Sequence, residues 1–490
     1  MRLPANKDKI FVWLAYAAIA LGIAIRIVVY LQNRNLMIDE ANVARNIYER
    51  GFAQLLLPLS YEQYAPPLWL WAVKASSLLF GMGELALKLT PFISGIAAIL
   101  LLFLVLKQLN LQKSAWYALA LFATGYIFIR YGTELKQYMT DVAIALALIW
   151  LALRPQIQSF KPVKLFSVWL LAGSIAIWFS MPSVFVLAGV GAYYFSLYWQ
   201  LNSVKKSVPI ILAALFWIIQ FAVYYWFILR EQANSEYLQN FHKDYFLSAT
   251  PFSAKELDHN ISLLSQLLGE TAGFTFLAKN MHTLLILWAS VFLLRKRLPV
   301  FVLLVIPLIL LLVAAAANQY TLIPRVAIFM MPILLILIAY GLNKLMEYRN
   351  MYFKSLVIAA CVVCIVNVSA LRFFVTPMHS EQLTDAMAIC NRHNVQGDAL
   401  YIHHGATPAY IYYTALHPKH KEWEKLKDAR LLKWDSDYNS LAASAPYPCA
   451  FIFTSIAEDE LAIRLASIKQ HLTVSDSISS KGCHAYVFER

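Results

Sequence analysis

Long apolar runs recur along most of this chain, at residues 10–31, 89–106, 115–129, 138–153, 165–179, 183–199, 208–229, 280–294, 298–317, 326–342 and 355–373, and they limit the fold more than any other feature. Read by hydropathy they predict about 11 membrane spans. Within hydrocarbon every backbone amide needs a partner inside the protein, and runs this long without strict alternation form helices rather than barrel strands. The expected class is an all-α polytopic membrane bundle. Composition agrees: 60% of the 490 residues are apolar and 14% charged, against roughly 45–50% and about 25% in soluble domains.

The net charge of +13 comes from Lys and Arg in short clusters between the apolar runs. That is a topology signal, not a nucleic-acid surface. Residues 65–80 are apolar and Trp-rich, yet begin with Pro66 and Pro67 and contain Lys74. If they do not cross, Lys107 and Lys113, Arg154, Lys161 and Lys164, Lys205 and Lys206, Arg295 to Arg297, and Lys344, Arg349 and Lys354 all fall on the side of the N-terminus. The positive-inside rule therefore makes 65–80 a juxtamembrane or re-entrant helix, the N-terminus cytoplasmic, and the loop 230–279 and the tail after residue 374 external. The first apolar run is too long for a signal peptide and reads as a retained span, with Arg26 snorkelling from its outer end.

Residues 1–374 thus form the membrane domain and residues 375–490 a soluble extracytoplasmic one. In the tail, Leu383, Ala386, Met387 and Cys390 have helical spacing, 399–403 and 450–454 read as strands, Thr407 and Pro408 open a helix, and Leu461, Leu465 and Ile468 share a helical face. A small α/β domain fits this alternation. Cys361 and Cys364 lie in an apolar run as packing residues, and Cys390, Cys449 and Cys483 allow a disulfide in the tail. His403 and His404, as neighbours on a strand, are expected on opposite faces and so do not form a metal pair.

Four polar constellations sit at the predicted outer surface. Asp39 and Glu40 are adjacent acids directly after the first span, followed by an amphipathic run that suggests an interfacial helix. Glu62 and Gln63 precede the Pro66–Pro67 pair that opens an aromatic helix. Lys136, Gln137, Tyr138 and Asp141 run into the fourth span, where Gln137 and Asp141, four residues apart, share a helical face; an acid inside a span marks a functional candidate. Tyr320 and Arg325 lie in the turn before the tenth span, and Arg325 runs against the outside charge bias, as a phosphate partner would explain.

Together, the Asp-Glu pair after span one, the Glu-Gln-x-x-Pro-Pro-Leu stretch, the segment 81–91, the Lys-Gln-Tyr-x-x-Asp element and the Pro-Arg before a late span resemble the GT-C superfamily of glycosyltransferases. The likeness is greatest to bacterial relatives of protein O-mannosyltransferases and of lipid A aminoarabinose transferases, although Val43 stands where relatives often carry an aromatic. The resemblance implies a GT-C-like bundle in the bacterial inner membrane and inverting sugar transfer from a polyprenyl-phosphate donor to a lipid, glycan or protein acceptor on the extracytoplasmic face. By the same resemblance Asp39 is the catalytic carboxylate, with Glu40 beside it and Asp141 as second acid, while Arg325 and Lys136 hold the donor phosphate. Gln137, Tyr138, Glu62, Gln63 and Tyr320 are further substrate-binding candidates. A divalent cation, magnesium or manganese, between Asp39, Asp141 and the phosphate suits their hard oxygen ligands. A transporter or flippase is the alternative, but its charges would line a midplane path rather than gather at one surface.

Overall fold

The computed structural model describes residues 9–233, 235–347, 350–368, 381–480 and 482–489. Most of it is helical. Every apolar run expected to cross forms helix where it is described, so the all-α membrane bundle is the fold observed. Among the described residues seven helices are long and apolar enough to cross a membrane: Lys9–Leu31 (α1), Leu89–Gln108, Pro162–Phe179, Val204–Leu229, Phe276–Lys296, Leu298–Ala316 and Ile328–Leu345. Shorter apolar helices add Ala115–Thr124, Tyr138–Leu153 and Met351–Val366. Ser183–Gln200 is of similar length but carries Ser, Tyr and Gln among its apolar residues.

Ile38–Glu49 (α2) and Pro67–Phe80 (α3) come first after α1, followed by the short helix Glu84–Leu87 (α4) and by Leu89–Gln108 (α5). Proline at the first position of α3 fits because that amide has no helical partner anyway, and Gly81, with φ of 86°, ends the helix where a Cβ would be strained. With 14 residues α3 is about 21 Å long, shorter than the roughly 30 Å of hydrocarbon. Its buried Trp69, Leu70 and Val73 belong to the same apolar cluster as Ala41, Val43 and Ile47 of α2 and as the core of the tail.

The third apolar run is not one helix. It breaks at Gly125 into Ala115–Thr124 (α6) and Tyr126–Arg130 (α7), with Tyr138–Leu153 (α8) following. Arg26 does not snorkel: it is fully buried and donates to the carbonyls of Gly22, Ala123 and Phe122 at 3.0, 3.4 and 3.2 Å. The broken helix explains this, because the last carbonyls of α6 have lost their helical donors and the guanidinium replaces them.

The tail folds around one five-stranded sheet of Leu400–Ile402 (β1), Arg430–Leu431 (β2), Cys449–Thr454 (β3), Val474–Ser480 (β4) and Cys483–Phe488 (β5), in the order β2-β1-β3-β5-β4. The strands β2, β1 and β3 are parallel, and β5 runs antiparallel to β3 and β4. Helices Leu383–Arg392, Thr407–Ile411 and Glu458–Ile468 lie where the spacing predicts helix. All five cysteines are buried and free, so the disulfide allowed by sequence is not formed. The expected boundary between residues 374 and 375 lies outside the described residues.

Candidate active site

The first turn of α2 carries both acids and turns them opposite ways. Glu40 is 1% exposed: its carboxylate accepts from the Met37 amide at 3.1 Å and the Leu135 amide at 2.7 Å, and lies 3.6 Å from the Lys88 ammonium. Lys88 donates onward to the Arg34 carbonyl at 2.8 Å, and Arg34 donates to the Thr133 hydroxyl at 2.8 Å. Arg130 pairs with Glu134 at 2.6 Å. This network fixes the 131–137 segment against α2. Expected as part of the chemistry, Glu40 has its oxygens committed to backbone amides instead.

Asp39 faces the other way, its side chain 44% exposed. Lys136, pinned by its neighbour Leu135, brings its ammonium to 3.6 Å from Oδ2 and donates to Gln63 Oε1 at 2.8 Å, while Gln63 Nε2 donates to Asp39 Oδ1 at 3.4 Å. The Lys136 charge, helped by Arg325 and the Gln63 hydrogen bond and opposed by burial, holds the Asp39 carboxyl below the ordinary carboxylate range. Arg325, in the turn before the Met331–Leu345 helix, lies in the fields of Asp39, Tyr138 and Tyr131. Its buried Nε has no hydrogen-bond partner among the described residues.

Asp141 stands apart from this group, one turn into α8. It is 4% exposed, and among the described residues neither its Oδ1 nor the Oε1 of Gln137, four residues before it, has a hydrogen-bond partner. Tyr64, Tyr224 and Tyr320 lie within its field, and Tyr138 senses both Asp39 and Asp141. Tyr320 itself donates to the Val326 carbonyl at 3.0 Å and so braces the turn that bears Arg325. Glu62, in the left-handed backbone region at φ of 53°, is exposed on the surface, unlike its buried neighbour Gln63. Asp39, Gln63, Lys136, Tyr138 and Arg325 are therefore brought together, Asp141 and Gln137 form an adjoining buried group, Glu40 is turned inward and Glu62 is exposed.

Tyr64, Tyr224 and His242 join this region without any signature in the sequence. The Tyr64 and Tyr224 hydroxyls hydrogen-bond each other. Burial and the nearby Arg325 charge lower the His242 pKa. The loop carrying His242 closes over the Arg325 turn, where the Leu322 amide donates to the Tyr245 carbonyl at 3.0 Å. An aromatic beside a lone outside Arg was the available hint for Tyr320, but nothing local marks Tyr224 in an apolar helix.

The donor set offers a metal little. Asp39 is already neutralised by Lys136 and Arg325, and among the described residues no three His, Cys, Asp or Glu side chains gather to hold a cation.

The tail reaches directly into this region. Tyr413 accepts from the Leu36 amide at 3.0 Å and donates to Glu84 at 2.8 Å, and His417 lies 3.1 Å from the other Glu84 oxygen. Thr384 donates twice to Asn35, at 3.0 and 2.9 Å, and Ile38 lies beside the Glu381 carboxyl. His403 and His404 do not point apart, because β1 ends at Ile402; their rings sit 3.9 Å apart in the turn that follows.

No protein-family model matches the chain, and no curated protein sequence matches it. Solved structures do. ArnT from Cupriavidus metallidurans in the apo state, a lipid A aminoarabinose transferase, aligns at a TM-score of 0.50 and 13% identity over 96% of this chain and 98% of that one. The Archaeoglobus fulgidus oligosaccharyltransferase tethered with an acceptor peptide aligns at 0.50 and 12% identity, over 98% of this chain and 74% of that one. At these identities the likeness is one of fold: the chain shares the fold of these two structures.

Proposed function

We propose that this protein is a membrane glycosyltransferase that moves a sugar from a polyprenyl phosphate to an acceptor hydroxyl on the extracytoplasmic face, with inversion. One observation carries the reading: a half-exposed, ionised Asp39 set against the cations of Lys136 and Arg325 at the edge of a membrane bundle. Asp39 takes the acceptor proton as the acceptor oxygen bonds to the anomeric carbon. The bond from that carbon to the phosphate oxygen breaks, and its electron pair leaves on the polyprenyl phosphate.

Arg325 meets that phosphate, with Lys136 beside it; a charge-assisted contact compensates a buried guanidinium nitrogen that otherwise lacks a partner. Gln63 orients Asp39 and Lys136 together. Asp141 and Gln137 line the adjoining polar group where the sugar or acceptor hydroxyls would bond. The lipid supplies its own anchoring, so a nucleotide-binding loop has no task here.

The test uses purified protein in nanodiscs, a radiolabelled polyprenyl-phosphate sugar and lipid, glycan and peptide acceptors extracted from the host envelope. Wild-type protein transfers label with inverted anomeric configuration, and Arg325→Ala binds the donor about 10- to 150-fold more weakly, equivalent to about 1.5–3 kcal/mol. Equal donor affinity in the variant removes the phosphate role. Cysteines placed at Lys107 and Ser436 should label from opposite sides of the membrane, Ser436 from outside.

A further inference from the structure

The sheet of the tail has a point at which its connections part. From β1 the chain leaves through the helix Thr407–Ile411 to β2 on one side, whereas from β3 it leaves through Glu458–Ile468 to β4 on the other. In open α/β sheets such a point leaves a crevice at the carboxyl ends of the two strands, and ligands bind there.

In this chain the crevice is walled by His403 and His404 after β1, Trp434 and Tyr438 from the segment between β2 and β3, and Arg464. Its polar atoms are left short of partners. The His403 Nε2, both ring nitrogens of His404 and the Tyr438 hydroxyl are buried without a hydrogen bond among the described residues. His403 is only 1% exposed. One such atom is an ordinary defect; four around one strand-end crevice are a set of unused donors and acceptors.

The charges narrow the ligand. Burial pushes the His403 pKa down to about 4, and that of His404 also falls, so both rings are neutral near pH 7. Arg464 is engaged by Glu460 at 2.7 and 2.9 Å and covers the Tyr438 ring. An anion therefore finds Arg464 already engaged, and a metal ion finds no cluster of three ligating side chains among the described residues. The Trp434 indole lies tilted by 37° against the His404 ring, centroids 3.4 Å apart, yet remains 70% exposed, which offers a flat apolar surface beside the polar atoms.

The crevice also adjoins the catalytic turn. Ser455, directly after β3, donates to the Glu381 carboxylate, and Glu381 lies beside Ile38, the residue before Asp39.

We propose that this crevice binds a neutral, hydroxyl-rich ring, a sugar residue, with Trp434 against the ring face and His403, His404 and Tyr438 bonding its hydroxyls. That the sugar belongs to the acceptor rests on the transferase reading above; the binding itself does not.

Saturation-transfer NMR on the full chain in lipid nanodiscs tests it without donor or turnover, using cellobiose, maltose and N-acetylchitobiose as neutral probes and inorganic phosphate and glucuronate as charged competitors. Wild-type protein is expected to transfer magnetisation to the ring protons of at least one disaccharide. That signal should fall at least fivefold in both Trp434→Ala and His404→Gln, the first a surface change that leaves the core untouched. No transfer to any disaccharide, equal transfer in the variants, or displacement by phosphate at lower concentration than by competing sugar each overturns the proposal. Because no chemistry is read, a failure here leaves the transferase reading standing, and a loss of transfer activity in other variants leaves the sugar site standing.

Discussion

The two sides of one helical turn are built for opposite tasks. On the inner side Glu40 is dry, and its oxygens are occupied by two backbone amides and the Lys88 ammonium. On the outer side Asp39 keeps nearly half of its surface in contact with solvent and is held by side chains alone, Lys136 and Gln63. Adjacent acids of the same chemistry thus divide into one that fixes the backbone and one whose carboxylate stays open, the one proposed to take a proton. Composition cannot make that division; only the direction of each side chain from the turn can.

The largest effect should come from the outer side. Asp39→Asn keeps size and removes basicity, so turnover should fall about 10²- to 10⁴-fold while expression, melting temperature and donor binding stay near wild type. Wild-type turnover by that protein would sink the assignment and move the base to Asp141. Glu40→Gln should show the reverse: a loss of about 3 kcal/mol of stability, read as a lower thermal midpoint in nanodiscs, because Lys88 is left buried without its charge partner. If instead Glu40→Gln kept its midpoint and lost only turnover, the two sides would not differ as described.

A smaller change probes how the tail supports the inner side. Tyr413→Phe removes a hydroxyl that serves both the Leu36 amide and Glu84, and should cost about 1–2 kcal/mol by the same thermal measurement. No loss would mean that the tail merely rests on α2.

The smallest effect is in pH. With its carboxyl below the ordinary range, mainly because of Lys136, Asp39 stays ionised at every pH above about 3.9, where an unperturbed aspartate would titrate. The stability and activity that depend on the ionised form are therefore present above that pH and lost only as pH falls through the lower folded value. Lys136→Met removes the largest cause, so the acid limb of kcat/KM should move upward. An unmoved limb would show that another group sets it.

Much of this was legible in sequence because its signals are local. Apolar run length marks a span, two prolines mark the start of α3, and a lone Arg against the charge bias marks Arg325. Asp39 and Lys136 stand out as charges beside apolar runs. What escaped depends on partners far away in the chain. The inward turn of Glu40 is decided by the Leu135 amide, 95 residues on, and the placement of Arg26 by carbonyls 96 and 97 residues on that are exposed by a break at Gly125. The His403 and His404 pair was misplaced because strand alternation was extended one residue past Ile402, where the strand already stops.

The Tyr413 hydroxyl meets Glu84 across 329 residues of chain. At the roughly 5–20 residues per second of protein synthesis, about 16–66 seconds separate the two ends of that bond. Through that interval the Leu36 amide and Glu84 wait in the membrane surface without their partner. The turn bearing Asp39 is therefore finished last, although it is made nearly first. A nascent chain that stalls or is cut before its tail emerges carries the acid, the cations and most of the bundle, and still lacks the hydrogen bonds that set the acid in place.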